Sequence, residues 1–331
     1  MRAAGGDAGW PVVAAASFLA PVDGIVVKIG HRPSKILGKV VNRLRSHART
    51  ARSKVFSGPK RKLAVIELGA NLSDRSPSRH LTIRKQDFSP SGIVYTEFFA
   101  FLDQHLRPTR YFEIGTHLGN SLKAFRCDAV CVDPEFKLAQ DVLSGRRQTH
   151  FFQMTSDDFF AEQDLQAILK GPPDICFLDG MHRAEYLLRD FYNTERACGP
   201  GSVIFMHDCL PSNFRMTLRT HEMGDDNEGP WKHAWTGDVW KIVPLLKAHR
   251  PDLDIKIFDC APTGLVAVSN LDPGSTKLKD MYLSLVGELR ALDLEKHTIE
   301  RLWCEVPVVS SRSLVEFPED LTLFVDARSR L

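Results

Sequence analysis

The sequence lacks the cysteine pairing that would indicate a disulfide framework or a zinc-binding module. No two cysteines form a CxxC pair, and their number is odd. They are scattered along the chain at Cys127, Cys131, Cys176, Cys198, Cys209, Cys260 and Cys304. Because several of them lie in short apolar runs, we expect reduced, buried thiols and a cytoplasmic protein.

Long apolar runs and a strong net charge are absent as well. The stretch "VVAAASFLA" (12–20) ends at Pro21 and Asp23 and is too short to span a bilayer. The formal net charge is only +2, so the whole chain gives no clear case for a nucleic-acid partner.

Acidic residues are missing from one segment, which makes the charge uneven. Residues 28–62 contain twelve lysines and arginines and no aspartate or glutamate. Within this segment, the apolar residues of 34–55 follow the helical period and predict a basic amphipathic helix. Such an arm either docks on the next domain or contacts an anionic surface, a membrane or RNA. We expect residues 1–81 to form an N-terminal extension around it.

From about residue 95, short apolar strands alternate with helical segments. The predicted strands are 110–115, 129–134, 150–154, 174–180, 202–208, 253–259 and 264–270. This pattern predicts an α/β fold, a doubly wound, Rossmann-like sheet of seven strands, mostly parallel, with helices on both faces. The short turn "CAPT" makes the last two strands an antiparallel hairpin. We expect this domain to span 82–294, followed by a C-terminal tail at 295–331.

The helical segments are predicted at 95–106, 120–126, 157–169, 183–198, 239–249 and 276–293. Asp238 is expected to cap the helix that follows it. Pro244 would remove a hydrogen bond from that helix, so the helix either bends or begins later.

The nicotinamide fingerprint GxGxxG is absent after the first strand of this pattern. The stretch "RYFEIGTHLGNS" (110–121) has instead the spacing G-x3-G, with Glu113 inside the strand. Glycines there let the backbone approach a ligand closely. An acid at this point would repel a pyrophosphate and suits a ligand with a cationic end.

At this turn the sequence resembles the class I S-adenosylmethionine-dependent methyltransferases. "FEIGTHLGNS" is similar to their first motif, in which a strand acid and a glycine turn hold the amino-acid end of the cofactor. The resemblance assigns this role to Glu113, Gly115, Thr116, Gly119 and Ser121.

The resemblance continues along the chain, over roughly residues 90–270. Asp133, eighteen residues after Gly115, matches the acid that binds both ribose hydroxyls. In "MTSDDF" (154–159), Ser156 or Asp157 would meet the adenine, and Asp179 completes the predicted cofactor set.

Two further motifs, "FLDGMH" and "VIFMHD", look like those of small-molecule and sugar O-methyltransferases. Asp179 and Asp208 end neighbouring strands and would share one Mg²⁺, which would lower the pKa of a substrate hydroxyl. The catechol-type pattern has Asn after the second acid, whereas this chain has Cys209, a poor Mg²⁺ ligand. Without a metal, His182 or His207 would act as the base, with Asp208 as a third predicted catalytic residue.

The loop 209–237 and the start of the next helix carry "WKHAWTGDVW", with three tryptophans in ten residues. They either form a lid over a sugar ring or another flat apolar acceptor, or pack the loop onto the domain. We therefore expect O-methylation of a small molecule or a glycan. A nicotinamide-dependent oxidoreductase and a non-catalytic cofactor-binding module remain as alternatives, and the sequence names neither the acceptor nor the oligomeric state.

Overall fold

The computed structural model describes residues 25–28, 90–138, 141–220, 234–294, 298–305 and 307–321. The predicted basic helix at 34–55 lies outside these residues, as does most of the predicted N-terminal extension. Within the described part of the chain, no helix is long and apolar enough to cross a membrane.

The strands of the described residues form one mixed sheet of nine. They are β1 (Ile25–Lys28), β2 (Arg110–Ile114), β3 (Asp128–Val132), β4 (Thr149–Phe152), β5 (Ile175–Leu178), β6 (Val203–His207), β7 (Asp254–Phe258), β8 (Leu265–Ser269) and β9 (Val308–Val309). Their order is β1-β4-β3-β2-β5-β6-β8-β7-β9, and only β8 runs antiparallel to its neighbours. The predicted mostly parallel α/β sheet with an antiparallel terminal hairpin is confirmed, and β1 and β9 extend it at its two edges.

The helices in the described ranges are α1 (Tyr95–Leu106), α2 (Asn120–Ala124), α3 (Ser156–Glu162), α4 (Leu165–Leu169), α5 (Ala184–Ala197), α6 (Ile242–His249), α7 (Lys277–Asp280), α8 (Tyr282–Ala291), α9 (Ile299–Glu305) and α10 (Ser311–Glu316). The segment predicted as one helix at 157–169 is two, because the side chain of Asp164 accepts from the Ala167 N–H and starts α4 as a separate helix. The segment 276–293 is likewise divided into α7 and α8.

The start of the helix after Asp238 differs from the prediction. A short 3₁₀ turn (Val239–Lys241) comes first and α6 begins at Ile242, so Pro244 stands in the first turn, where its missing N–H has no helical partner to lose. The prediction that Asp238 caps this helix was wrong. Its carboxylate instead accepts from the backbone N–H of Ala184, at the start of α5 (2.9 Å).

Two apolar layers cover the two faces of the sheet, because side chains alternate along each strand. On β2, Phe112 and Ile114 pack in one layer with α5, whereas Tyr111 packs in the other with α1. Glu113 therefore points into the second layer, among aromatic rings. This placement makes it the one acid that β2 buries in the core.

The segment 298–321 packs on the same core as the strands. Leu302 joins one apolar layer and Leu314 the other, and β9 pairs with β7. The predicted division between a domain ending at 294 and a tail beginning at 295 stays a prediction.

The chain crosses from one half of the sheet to the other between β4 and β5. Strands β2 and β5 are neighbours, and the connections from them run to opposite sides. Ligands of such sheets bind where the order reverses, at the carboxyl ends of the strands. The glycine turn after β2 and the motif after β5 both lie at this point.

Candidate functional site

The turn between β2 and α2 is built for close backbone approach. Gly115 and Gly119 both have positive φ, +90° and +79°. A Cβ on Gly115 would lie 1.9 Å from the carbonyl oxygen of Asp179, so no other residue fits there. The turn is thereby joined directly to the end of β5.

Glu113 is fully buried just before this turn. Its Oε2 accepts hydrogen bonds from the hydroxyls of Tyr111 (2.7 Å) and Ser121 (2.8 Å). Its Oε1 has no hydrogen-bond partner among the described residues. Burial raises the pKa of Glu113, and these hydrogen bonds oppose the rise. The Oε1 oxygen is buried at the start of the glycine turn, close to Thr116.

Asp133 follows β3 and ties two loops together. Its Oδ2 accepts from the His117 N–H (2.8 Å), inside the glycine turn, and its Oδ1 accepts from the Glu135 N–H (2.7 Å). Burial raises its pKa, and the two backbone bonds oppose this. Each oxygen retains a lone pair, so the carboxylate can still accept from a ligand.

Ser156 and Asp157 form the first turn of α3, after the N-cap residue Thr155. Asp157 is paired with Arg189 of α5 at 2.5 Å. The Ser156 side chain lies near the buried Asp190, also on α5, and opposes the rise that burial causes in the pKa of that carboxyl. The two residues predicted to meet the adenine are thus held by partners that the sequence did not suggest.

The four polar residues at the ends of β5 and β6 converge on one spot. His182 places Nε2 3.3 Å from Oδ1 of Asp179 and Nδ1 3.2 Å from Oδ2 of Asp208. His207 places Nδ1 3.4 Å from an oxygen of each aspartate. We call Asp179, His182, His207 and Asp208 the carboxylate–histidine cluster. All four predicted residues are brought together, and all are largely shielded from solvent.

The charges of this cluster are mutually dependent. Burial opposes a charge on His182, but Asp208 and Asp179 outweigh it and raise its pKa to about 9. The pKa of His207 is raised too, because the same two carboxylates outweigh burial. Burial would raise the pKa of Asp179, yet the two imidazoles hold it well below its usual range. Without a further cation, the cluster therefore holds at least one imidazolium at neutral pH.

Two of the six non-glycine residues with positive φ in the described ranges lie in the same place. His182 (φ 55°) and Asp208 (φ 62°) both adopt the left-handed conformation, which is uncommon for residues other than glycine. Gly237 approaches so closely that a Cβ there would lie 1.8 Å from the carbonyl oxygen of His182. Strain of this kind persists where the surrounding structure enforces it, and it often accompanies function.

The tryptophans of the predicted lid are used internally where the structure describes them. Trp235 stacks on His182 (centroids 4.9 Å apart), and its Nε1 donates to the carbonyl of Leu218. Trp240 is buried in the core. Trp231 lies outside the described residues. The two described rings pack the loop onto the domain, and one of them holds His182.

Three residues of the site were missed by the sequence reasoning. The ring of Tyr95, the first residue of α1, lies 4.3 Å from that of His207. Thr263, in the turn before β8, donates its hydroxyl to Oδ1 of Asp208. Asp190 lines a narrow cavity together with Asp179 and both histidines.

The buried Asp190 makes the free energy of unfolding depend on pH. Burial raises its pKa to about 7, well above the value of about 3.9 for an unfolded aspartate. Its contribution is therefore fully present below about pH 4 and is lost as the pH rises through 7. Asparagine has no charge to bury, so at pH 8 we expect the free energy of unfolding of Asp190→Asn to be roughly 1–4 kcal/mol higher than that of the natural protein. The difference should be smaller at pH 5, because that pH is closer to the pKa of the unfolded aspartate. Urea unfolding at both pH values measures this, and parallel pH profiles for the two proteins would refute it.

Comparison with known proteins agrees with this architecture. Residues 112–209 match a family model described as a methyltransferase domain. No curated protein sequence matches the chain significantly.

Solved structures with a similar fold include several methyltransferases. The O-methyltransferase TomG from Streptomyces achromogenes, solved with S-adenosylmethionine, is 16% identical, with 54% of this chain and 80% of that chain covered and a TM-score of 0.37. An O-methyltransferase from Bacillus cereus is 14% identical, with 73% and 94% covered and a TM-score of 0.37. MycE, solved with Mg, S-adenosylhomocysteine and mycinamycin VI, is 16% identical, with 55% and 49% covered and a TM-score of 0.35. Neighbours this distant identify neither an acceptor nor a metal.

Proposed function

Because residues 112–209 match a family model described as a methyltransferase domain, we propose that the chain is an S-adenosylmethionine-dependent methyltransferase that methylates a hydroxyl oxygen of a small acceptor. One observation carries the proposal: the carboxylate–histidine cluster stands at the same sheet edge as the glycine turn. A methyl donor held at the turn would therefore face groups able to bind and deprotonate an alcohol or phenol.

On the donor side, the residues after β2 and β3 fit an amino-acid and ribose moiety. The free Oε1 of Glu113 suits a cationic amine, and Gly115 and Gly119 leave the backbone open to close approach. Asp133 would bind the ribose hydroxyls, while Ser156 and Asp157 would border the adenine. Ser121 and Thr116 support this set: the Ser121 hydroxyl donates to Glu113, and the Thr116 carbonyl accepts from the Gly119 N–H. When bound, the cofactor supplies an electrophilic methyl group on a sulfonium centre.

On the acceptor side, the cluster has to remove a proton. Displacement at the sulfonium methyl needs an aligned, deprotonated oxygen. Asp208 is fixed by the hydroxyl of Thr263 and lies beside both imidazoles. This places a buried carboxylate where it can orient a base or hold a cation. In the first role the carboxylate would stabilise the imidazolium that forms, and in the second it would hold the cation beside the acceptor hydroxyl.

The cluster also fits a divalent cation. One atom each of Asp179, His182 and Asp208 lies within 4.8 Å of the others, and Nδ1 of His207 beside them has no hydrogen-bond partner among the described residues. Two carboxylates and an imidazole suit Mn²⁺ as well as Mg²⁺. Cys209 does not compete, because its thiol is turned to the carbonyl of His207 (3.2 Å). Such a cation supplies Lewis-acid polarisation that lowers the pKa of a hydroxyl.

We expect EDTA to abolish methyl transfer, and Mn²⁺ or Mg²⁺ to restore it. Independently of activity, a saturating cation should raise the melting temperature of the natural protein and leave that of Asp208→Asn unchanged, since binding stabilises only a folded site that can hold the ion. Activity that is insensitive to EDTA, with a rate that rises with pH through about 9, would instead assign proton removal to His182.

The surroundings of the cluster favour a small molecule with an apolar body over a glycan. Four of the seven exposed large apolar side chains in the described ranges lie on segments at this edge of the sheet, namely Val94, Leu118, Met181 and Phe214. The two described tryptophans, which would stack on a sugar, are engaged within the protein. Apolar residues gathered at a site mark a binding surface for an apolar partner.

Calorimetry separates this function from its alternatives. We expect S-adenosylhomocysteine to bind and NADH not to bind, because the carboxylate of Glu113, buried just before the turn, would repel a pyrophosphate there. Binding of NADH alone would favour the oxidoreductase. Binding of S-adenosylhomocysteine with no turnover on phenols, aliphatic alcohols and glycosides would favour a non-catalytic module.

A further inference from the structure

The imidazole of His207 is held weakly by hydrogen bonds. Its Nδ1 has no hydrogen-bond partner among the described residues, although two carboxylate oxygens lie 3.4 Å away. Its Nε2 is 3.5 Å from the hydroxyl of Thr263, the outer limit for such a bond. Because these contacts define no single orientation, the ring has to be fixed by packing.

That packing comes mainly from Tyr95. The centroid of its ring lies 4.3 Å from that of His207, at 42° to it, while Phe177 is more distant at 5.9 Å. Tyr95 in turn stacks on Phe177 (5.9 Å, 27°) and meets Phe99 edge-on (5.8 Å). The tyrosine ring therefore lies between the aromatic core and the imidazole and packs against both.

The position of Tyr95 along the sheet edge is set by its own backbone. The N–H of Tyr95 donates to the carbonyl of Ala261 (3.1 Å), and the N–H of Ala261 donates to the carbonyl of Ile93 (2.9 Å). One step earlier, the Gly92 N–H donates to the carbonyl of Asp259 (2.9 Å). The entry to α1 thus pairs with the segment after β7 through an isolated bridge between Val94 and Ala261.

A serine from the C-terminal segment stabilises this arrangement by hydrogen bonds to both sides. The hydroxyl of Ser311 accepts from the Ile93 N–H (3.0 Å) and donates to Oδ1 of Asp259 (2.8 Å). The Ser311 N–H reaches the same oxygen (2.7 Å). Ser311 and Asp259 are buried, Ile93 is half-buried, and a Cβ on Gly92 would lie 2.0 Å from the Ser311 hydroxyl oxygen. We call Ile93, Asp259 and Ser311 the serine latch.

We infer that Tyr95 is a positioning residue for His207, and that the serine latch keeps it in place. The C-terminal segment would thereby contribute to the geometry of the site without touching it. The inference rests on the proposed function for the role of His207 in methyl transfer. The orientation of His207 itself can be observed whether or not the protein turns over a substrate.

The test is NMR of the histidine ring protons in the full chain, with the His207 signals assigned by their loss in His207→Gln. We expect Tyr95→Phe to leave these signals in place, because the ring is retained. Tyr95→Leu should move them downfield, since the shielding of the aromatic face is lost. Ser311→Ala should move them in the same direction by a smaller amount, and Ser144→Ala, at an exposed loop position, should not move them.

Unchanged His207 signals in both Tyr95→Leu and Ser311→Ala would overturn the inference. If Tyr95→Leu does not fold, Ser311→Ala and Tyr95→Phe still decide, since the inference requires the first to shift the signals and the second to leave them. With a phenolic acceptor, Tyr95→Leu should lower kcat about ten- to a hundredfold with an unchanged KM for the cofactor, and Tyr95→Phe should restore most of the rate. Calorimetry with S-adenosylhomocysteine on the natural protein tells failure of the proposed function apart from failure of this inference.

Discussion

Asp208→Asn is expected to lower kcat by at least about a hundredfold, the usual contribution of a group that acts in proton transfer. Asparagine has nearly the same shape and tolerates the left-handed backbone (φ 62°) that Asp208 adopts. The substitution therefore removes the charge and leaves the strand end intact. The amide would neither hold a cation with Asp179 nor support a charged His182.

The rate is measured as release of S-adenosylhomocysteine with an acceptor that the natural protein methylates. Asp254→Asn is the matched control, since Asp254 is exposed at the opposite end of β7 and is paired only locally, with Lys256. Full activity of both Asp208→Asn and His182→Ala would remove the carboxylate–histidine cluster from the mechanism.

Asp133→Ala should weaken binding of S-adenosylhomocysteine by about 1.5–3 kcal/mol, the range for hydrogen bonds to a charged group. At about 1.4 kcal/mol per factor of ten, this corresponds to a Kd roughly ten- to a hundredfold higher. The carboxylate also holds the glycine turn through the His117 N–H, so part of the loss would come from a looser turn.

Calorimetry measures this loss of affinity, and two further variants serve as references for it. Asp128→Ala removes the acid at the start of β3, the strand that Asp133 follows, at the end away from the site, and should leave the Kd unchanged. Asp133→Asn keeps an acceptor for the turn and should fall between the two. An unchanged Kd for Asp133→Ala would reject Asp133 as the ribose-binding residue.

The sequence was sufficient for seven of the nine strands in the described sheet and for the strand ends at which the predicted site residues lie. Each of the seven predicted strands is an apolar run that ends in a polar or glycine turn, and in a parallel sheet such ends share one edge. That rule alone brings Asp179 and Asp208 together. It also places Asp133 beside the glycine turn, where His117 binds it.

What the sequence could not give are contacts that depend on distant segments. Asp238 was expected to cap its own helix but caps α5, because the loop before α6 folds back onto the start of α5. In the sequence, Tyr95 looks like an ordinary first residue of a helix. Its contact with His207 depends on the pairing of 92–95 with 259–261, which the sequence does not show. Asp190 carried a weak signal, an acid beside the buried Leu187 and Phe191 of an amphipathic helix.

A crystal structure of the enzyme with S-adenosylhomocysteine tests the central claim most directly. We expect the amino-acid end over the turn between Gly115 and Gly119, the ribose on Asp133, and the sulfur directed at Asp179 and Asp208. A ligand bound at another edge of the sheet, or a sulfur directed away from these carboxylates, would contradict the proposed site.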